Sequence, residues 1–85
     1  MRRIDVIAEK ETYRLIGDGA GRFAVVEVRA GRVYSLDPQH SAEAEDTLHG
    51  MAKVVSPRGW RSREEAARLF RAMVSGEAHL ARTLW

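Results

Sequence analysis

Residues 23–36 read FAVVEVRAGRVYSL, and they carry the clearest structural signal in the chain. Phe23–Arg29 and residues 32–36 are rich in Val, Phe and Tyr, side chains that suit a pleated, half-buried surface. Ala30 and Gly31 leave two residues for the reversal, and Gly31 can supply the positive φ of a tight hairpin turn. A two-residue turn pairs Arg29 with Arg32, Val28 with Val33, Glu27 with Tyr34 and Val25 with Leu36. One face of the hairpin then holds Ala24, Val26, Val28 and Val33, small and apolar. The other holds Phe23, Val25, Glu27, Arg29, Arg32, Tyr34 and Leu36, where aromatic anchors mix with arginine.

Upstream, Ile4, Val6 and Ala8 alternate with Arg3, Asp5 and Ile7 at the two-residue period of a strand. Glu9, Lys10 and Glu11 make a polar turn, and residues 12–16 (TYRLI) are a second strand or a continuation of the first after a bulge. Residues 17–21 (GDGAG) read as a loop. Downstream, Asp37 and Pro38 are expected to end the sheet, because proline cannot donate to a ladder.

Residues 41–51 are expected to form a helix, with Ala44, Leu48 and Met51 at helical spacing. Glu43, Glu45 and Asp46 would lie in its first turns, and Gly50 would weaken it. Residues 52–55 are its tail or a fourth strand, and residues 56–59 are loop. Ser62-Arg63-Glu64-Glu65 is a capping box that opens the best-specified helix. Its apolar stripe is Ala66, Leu69, Phe70, Met73 and Val74, and Gly76 ends it as a left-handed cap. Residues 77–84, with Leu80, Ala81 and Leu84 at helical spacing, make a last short helix. The expected fold is α+β: an antiparallel three- to four-stranded β-meander followed by two to three C-terminal helices packed on one face, with the capped helix on the Val26/Val33 side.

The 85 residues form one small domain, with 45% hydrophobic and 31% charged residues in globular proportion. The absence of cysteine excludes disulfides, thiolate metal sites and thiol catalysis. The formal charge of +2 lacks the clustered excess of a dedicated nucleic-acid domain, and acidic residues interrupt every basic stretch. Asp5 spoils any signal-peptide core and no apolar run suits a membrane span, so a cytoplasmic location is expected, with no membrane partner.

Residues 25–38 (VVEVRAGRVYSLDP), with PRGW at 57–60 and SREEAARLF at 62–70, resemble in outline the MbtH-like proteins, small partners of peptide synthetases. That family sets a three-stranded sheet before a helix, with S-L-W-P and P-x-G-W elements. Asp37 stands where the family has tryptophan, the spacing from Pro38 to Pro57 is longer, and the stretch between Trp60 and the capping box is shorter. Those departures fall on the residues that carry the family's function, so the resemblance assigns no role here.

Chemistry-bearing motifs are sparse. Gly17-x-Gly19-x-Gly21 opens a strand rather than the helix a dinucleotide fingerprint requires, and reads as a mobile hairpin loop. His49 would share a helical side with Glu45 and Asp46, too few ligands for a metal site, and His40 and His79 stand alone. No nucleophile–base constellation is legible. The expectation is a non-enzymatic domain without cofactor or metal, binding another protein or itself. Its partner site would be Phe23, Arg29, Arg32 and Tyr34 on the second hairpin face. The alternative is a nucleic-acid-binding module that uses the same arginine and aromatic residues for base stacking.

Overall fold

The computed structural model describes residues 3–77 and 84–85. Among the described residues the sheet has five antiparallel strands in sequence order: β1 (Asp5–Lys10), β2 (Tyr13–Gly17), β3 (Phe23–Arg29), β4 (Arg32–Ser35) and β5 (Glu43–Glu45). Two helices follow, α1 (Leu48–Val54) and α2 (Arg63–Val74). The α+β meander is as the sequence implies, with one strand more than expected. Asp37 and Pro38 end a strand but not the sheet, since Ser35 N–H donates to the Ala42 carbonyl and the chain returns as β5.

The β3–β4 register is the one the two-residue turn dictates: Arg29 opposes Arg32, Val28 opposes Val33 and Glu27 opposes Tyr34. Ala30 and Gly31 both have positive φ, 50° and 77°. That pair of values is the primed turn whose twist matches the strands it joins. In β1 the expected alternation breaks at Ile7, an extra residue between Val6, opposite Ile16, and Ala8, opposite Leu15.

The helix expected over residues 41–51 is not formed. Glu43, Ala44 and Glu45 extend as β5, with Ala44 opposite Val33. The period of two in E-A-E outweighs the helical spacing because Val33 offers Ala44 a buried seat. The helix starts only after Thr47, whose hydroxyl accepts from Gly50 N–H at 2.9 Å, and it takes in residues 52–54. Gly50 does more than weaken this helix. A Cβ there would collide with the Glu45 carbonyl oxygen, so glycine lets α1 fold flat against the end of β5.

The two helices lie on opposite faces, not on one. α1 brings Met51 and Val54 onto Ile16, Ala24, Val26 and Val33, with Ile4, Val28 and Trp60 around them. α2 brings Ala66, Leu69 and Ala72 onto Leu15 and Val25, with Tyr13, Phe23 and Leu36 at the margin. The Val26/Val33 face is therefore the seat of α1, not of the capped helix. Only Asp46 and Thr47 separate β5 from α1, so α1 takes the nearest face. Residues 55–62 then pass the end of the sheet, where Arg61 and Phe23 exchange two backbone hydrogen bonds of 2.9 Å. That bridge delivers α2 to the other face.

Both ends of α2 match the sequence. Ser62 and Glu65 form the reciprocal capping box. Gly76, at φ 77°, closes a Schellman motif in which Gly76 N–H bonds the Met73 carbonyl and Glu77 N–H the Ala72 carbonyl. The buried stripe is Ala66, Leu69 and Ala72, while Phe70 and Met73 are half-buried. The last expected helix, over 77–84, and His79 fall largely outside the described residues.

Candidate functional site

α2 rests on β2 and β3, over Leu15 and Val25. On the same face, nearer the hairpin's turn, one row runs Tyr13, Glu27, Tyr34, Glu43 across β2 to β5. The next row, nearer the turn, holds Arg29, Arg32 and Glu45. Tyr34 is half-buried and packs against neither core cluster, whereas Tyr13 and Leu36 pack against the cluster under α2. The Arg29 guanidinium lies 4.3 Å from the Tyr34 ring centroid, within cation–π range.

The charges of this surface are matched. Arg29 Nε is 3.5 Å from a Glu27 carboxylate oxygen, and Arg32 Nη2 is 3.7 Å from one of Glu43. With Glu45 opposite Arg32, the carboxylates Glu27, Glu43 and Glu45 outnumber the two guanidinium groups. Arg29, Arg32 and Glu43 stay largely open to water, so these pairs orient side chains more than they stabilise the fold.

Of the residues expected at the partner site, the structure brings together Arg29, Arg32 and Tyr34 and leaves Phe23 apart. Phe23 lies four residues along β3 from Glu27, about 13 Å away at strand rise. It packs with the cluster under α2, and the Arg63 guanidinium stands 5.9 Å from its ring centroid. Glu43 also belongs to the surface, brought there by β5 rather than by the helix expected over residues 41–51. The Glu27–Tyr34 pairing was the signal that could be read.

The glycine loop is tied down rather than loose. Asp18 is buried, and its Oδ1 accepts from Ala20 N–H at 2.8 Å and Arg22 N–H at 3.0 Å. Its other oxygen meets Arg22 Nε at 3.2 Å. Burial pushes the Asp18 carboxyl up, but the Ala20 and Arg22 amides and the Arg22 guanidinium outweigh it and hold it below its ordinary value. Two of the loop's amides, those of Ala20 and Arg22, are thus already taken by the chain's own carboxylate. Gly17 is the last residue of β2 and is buried.

A second buried carboxylate, Asp37, clamps the β4–β5 loop to the α1–α2 connection. Its Oδ1 accepts from Gln39 N–H at 2.9 Å and from Arg58 Nη2 at 2.8 Å. Burial raises its pKa; the Gln39 amide, the Arg58 guanidinium and the nearby Ser56 hydroxyl outweigh that and bring it from 3.8 to about 2. Asp18-x-Ala20 and Asp37-x-Gln39 are Asx turns, which aspartate at these loop positions can signal in the sequence.

Glu45, Asp46 and His49 do not share a helix side. Glu45 is in β5, Asp46 accepts from Arg14 at 2.7 Å, and His49 is exposed on α1. Among the described residues no group of three or more His, Cys, Asp or Glu side chains could hold a metal ion. Among them, too, no helix is long and apolar enough to cross a membrane. Comparison with protein-family models, curated proteins and solved structures returns no match for this chain.

Proposed function

We propose that this domain is a non-enzymatic, cytoplasmic protein-binding module whose partner docks on the turn end of the β3–β4 hairpin. The supporting observation is Tyr34: a half-buried ring outside both core clusters, on β4 where α2 rests on β2 and β3, with the Arg29 guanidinium stacked on it. Such a ring offers an apolar anchor, and Arg29 and Arg32 offer directed donors at its rim. The charge balance favours a protein over a nucleic acid. A phosphate backbone needs unpaired cations, and here Arg29 and Arg32 stand beside Glu27 and Glu43.

The test is capture by immobilised wild-type domain against Tyr34→Ala and Arg32→Glu. Both variants lose the captured protein, and both keep folding stability within about 1 kcal/mol, the usual range for surface changes. Wild-type capture should survive a rise in salt that strips a phosphate-bound protein. Salt-labile binding to single-stranded RNA or DNA, lost in Arg32→Glu, would move the assignment to the nucleic-acid alternative.

A further inference from the structure

The two edges of the sheet are built differently. β5 is three residues long, two of them glutamate, and α1 closes against it through Gly50. Short, charged and covered is how a protected edge looks. β1 is six residues long, and no strand among the described residues pairs with its outer side. The exposed large hydrophobics of the described residues, Val6 at 41%, Ile7 at 47% and Leu48 at 50%, all lie on or beside this edge. Val6 is on the α1 side, where Leu48 shares a surface cavity with Ile4 and Asp5. Ile7, the bulge residue, reaches the α2 side, within 3.6 Å of the position a Cβ on Gly17 would take.

Two of the three charges of β1 are also unspent: Glu9 pairs with Arg14 at 2.8 Å, and the other two stand open. Asp18, Asp37 and Asp46 each sit in an ion pair, while Asp5 and Lys10, at opposite ends of the strand, have none among the described residues. We propose that β1 pairs antiparallel with β1 of a second copy of this chain. With Ile7 bulged out of the ladder in both copies, a two-fold axis at Ala8 sets Ala8 opposite Ala8, Val6 opposite Glu9 and Asp5 opposite Lys10. The Asp5–Lys10 pair then forms twice, once on either side of the axis. The exposed side chains of Val6, Ile7 and Leu48 gain neighbours at the same seam. Because β5 is blunted, the joined sheet has no second open edge, and association closes at two copies.

The test is sedimentation equilibrium of the full chain, from about 10 µM to about 1 mM, the range in which a small interface associates. The wild type should pass from the 9.6 kDa monomer to a dimer. Lys10→Glu and Asp5→Lys each place like charges opposite one another twice, and each should weaken the dimer about tenfold. The double variant Asp5→Lys with Lys10→Asp should restore it. Melting curves that match the wild type establish that the variants fold. A chain monomeric throughout overturns the proposal, as does a dimer indifferent to the single substitutions or a double variant as weak as the singles. Tyr34→Ala should dimerise normally, which separates this result from that of the hairpin site; loss of the dimer there would place the interface on the hairpin instead.

Discussion

The two faces of the sheet are closed by different means. On the α1 side, Met51 and Val54 seal Ile16, Ala24, Val26 and Val33, and each of these is buried. The seal depends on contact at the level of the backbone, Gly50 against the Glu45 carbonyl. On the α2 side, a longer helix covers Leu15, Val25 and their margin, and leaves Tyr34, in the row of Glu27 and Glu43, outside that cluster. A short helix held close buries its face from β2 to β4, while a longer helix set over one side leaves a surface. The open part of the molecule is thus decided by where α2 sits, not by how apolar the strands are.

The largest expected effect tests the covered part of the α2 side. Leu69 is fully buried between Leu15 and Val25, and Leu69→Ala should cost about 3 kcal/mol in urea unfolding. Phe70→Ala, at a half-buried position, should cost clearly less; the reverse order would mean that the helix is rotated about its axis. On the α1 side, Gly50→Ala forces α1 away from β5 and should cost about 2 kcal/mol, as overpacking does. An unchanged midpoint would show that the two elements are not in close contact.

Acid tests the clamp between the β4–β5 loop and the α1–α2 connection. The folded-state pKa of Asp37 is depressed, so its contribution is fully present above the unfolded value near 3.8 and is lost as pH falls toward about 2. Asp18 acts in the same direction. Asp37→Asn should therefore flatten the loss of stability between those pH values, read as a melting temperature across an acid series, and an acid limb as steep as the wild type's would assign it to other groups. The smallest effect belongs to the open end: Tyr34→Ala should change stability by no more than about 1 kcal/mol. A larger loss would make Tyr34 part of the core and remove the contrast between the covered and open parts of this face.

Local rules were legible wherever the responsible residues adjoin. The Ala30-Gly31 turn carried its register through to Glu27 and Tyr34. Ser62 with Glu65, and Gly76, marked both ends of α2. Residues 41–51 were misread because two periodicities overlap there, and the buried partner that favours extension, Val33, is eight residues before Ser41. Gly50 looked like a defect in a helix because the carbonyl it accommodates belongs to a different element. The glycine loop reads as loose because three glycines dominate it, whereas its order comes from Asp18 accepting from two of its amides.

The sequence by itself determined the meander, the hairpin register and the caps of α2, because each depends on dihedral preferences and hydrogen bonds between near neighbours in the chain. It also determined that Arg29, Arg32 and Tyr34 share one face, since alternation along paired strands follows from register alone. Tertiary structure decided which face each helix covers and how far. That choice depends on the two-residue link from β5 to α1, the close approach at Gly50 and the bridge from Phe23 to Arg61. It separated Phe23 from Tyr34, although the two lie on one face, because burial is set by which atoms arrive from distant parts of the chain, and no periodicity encodes that.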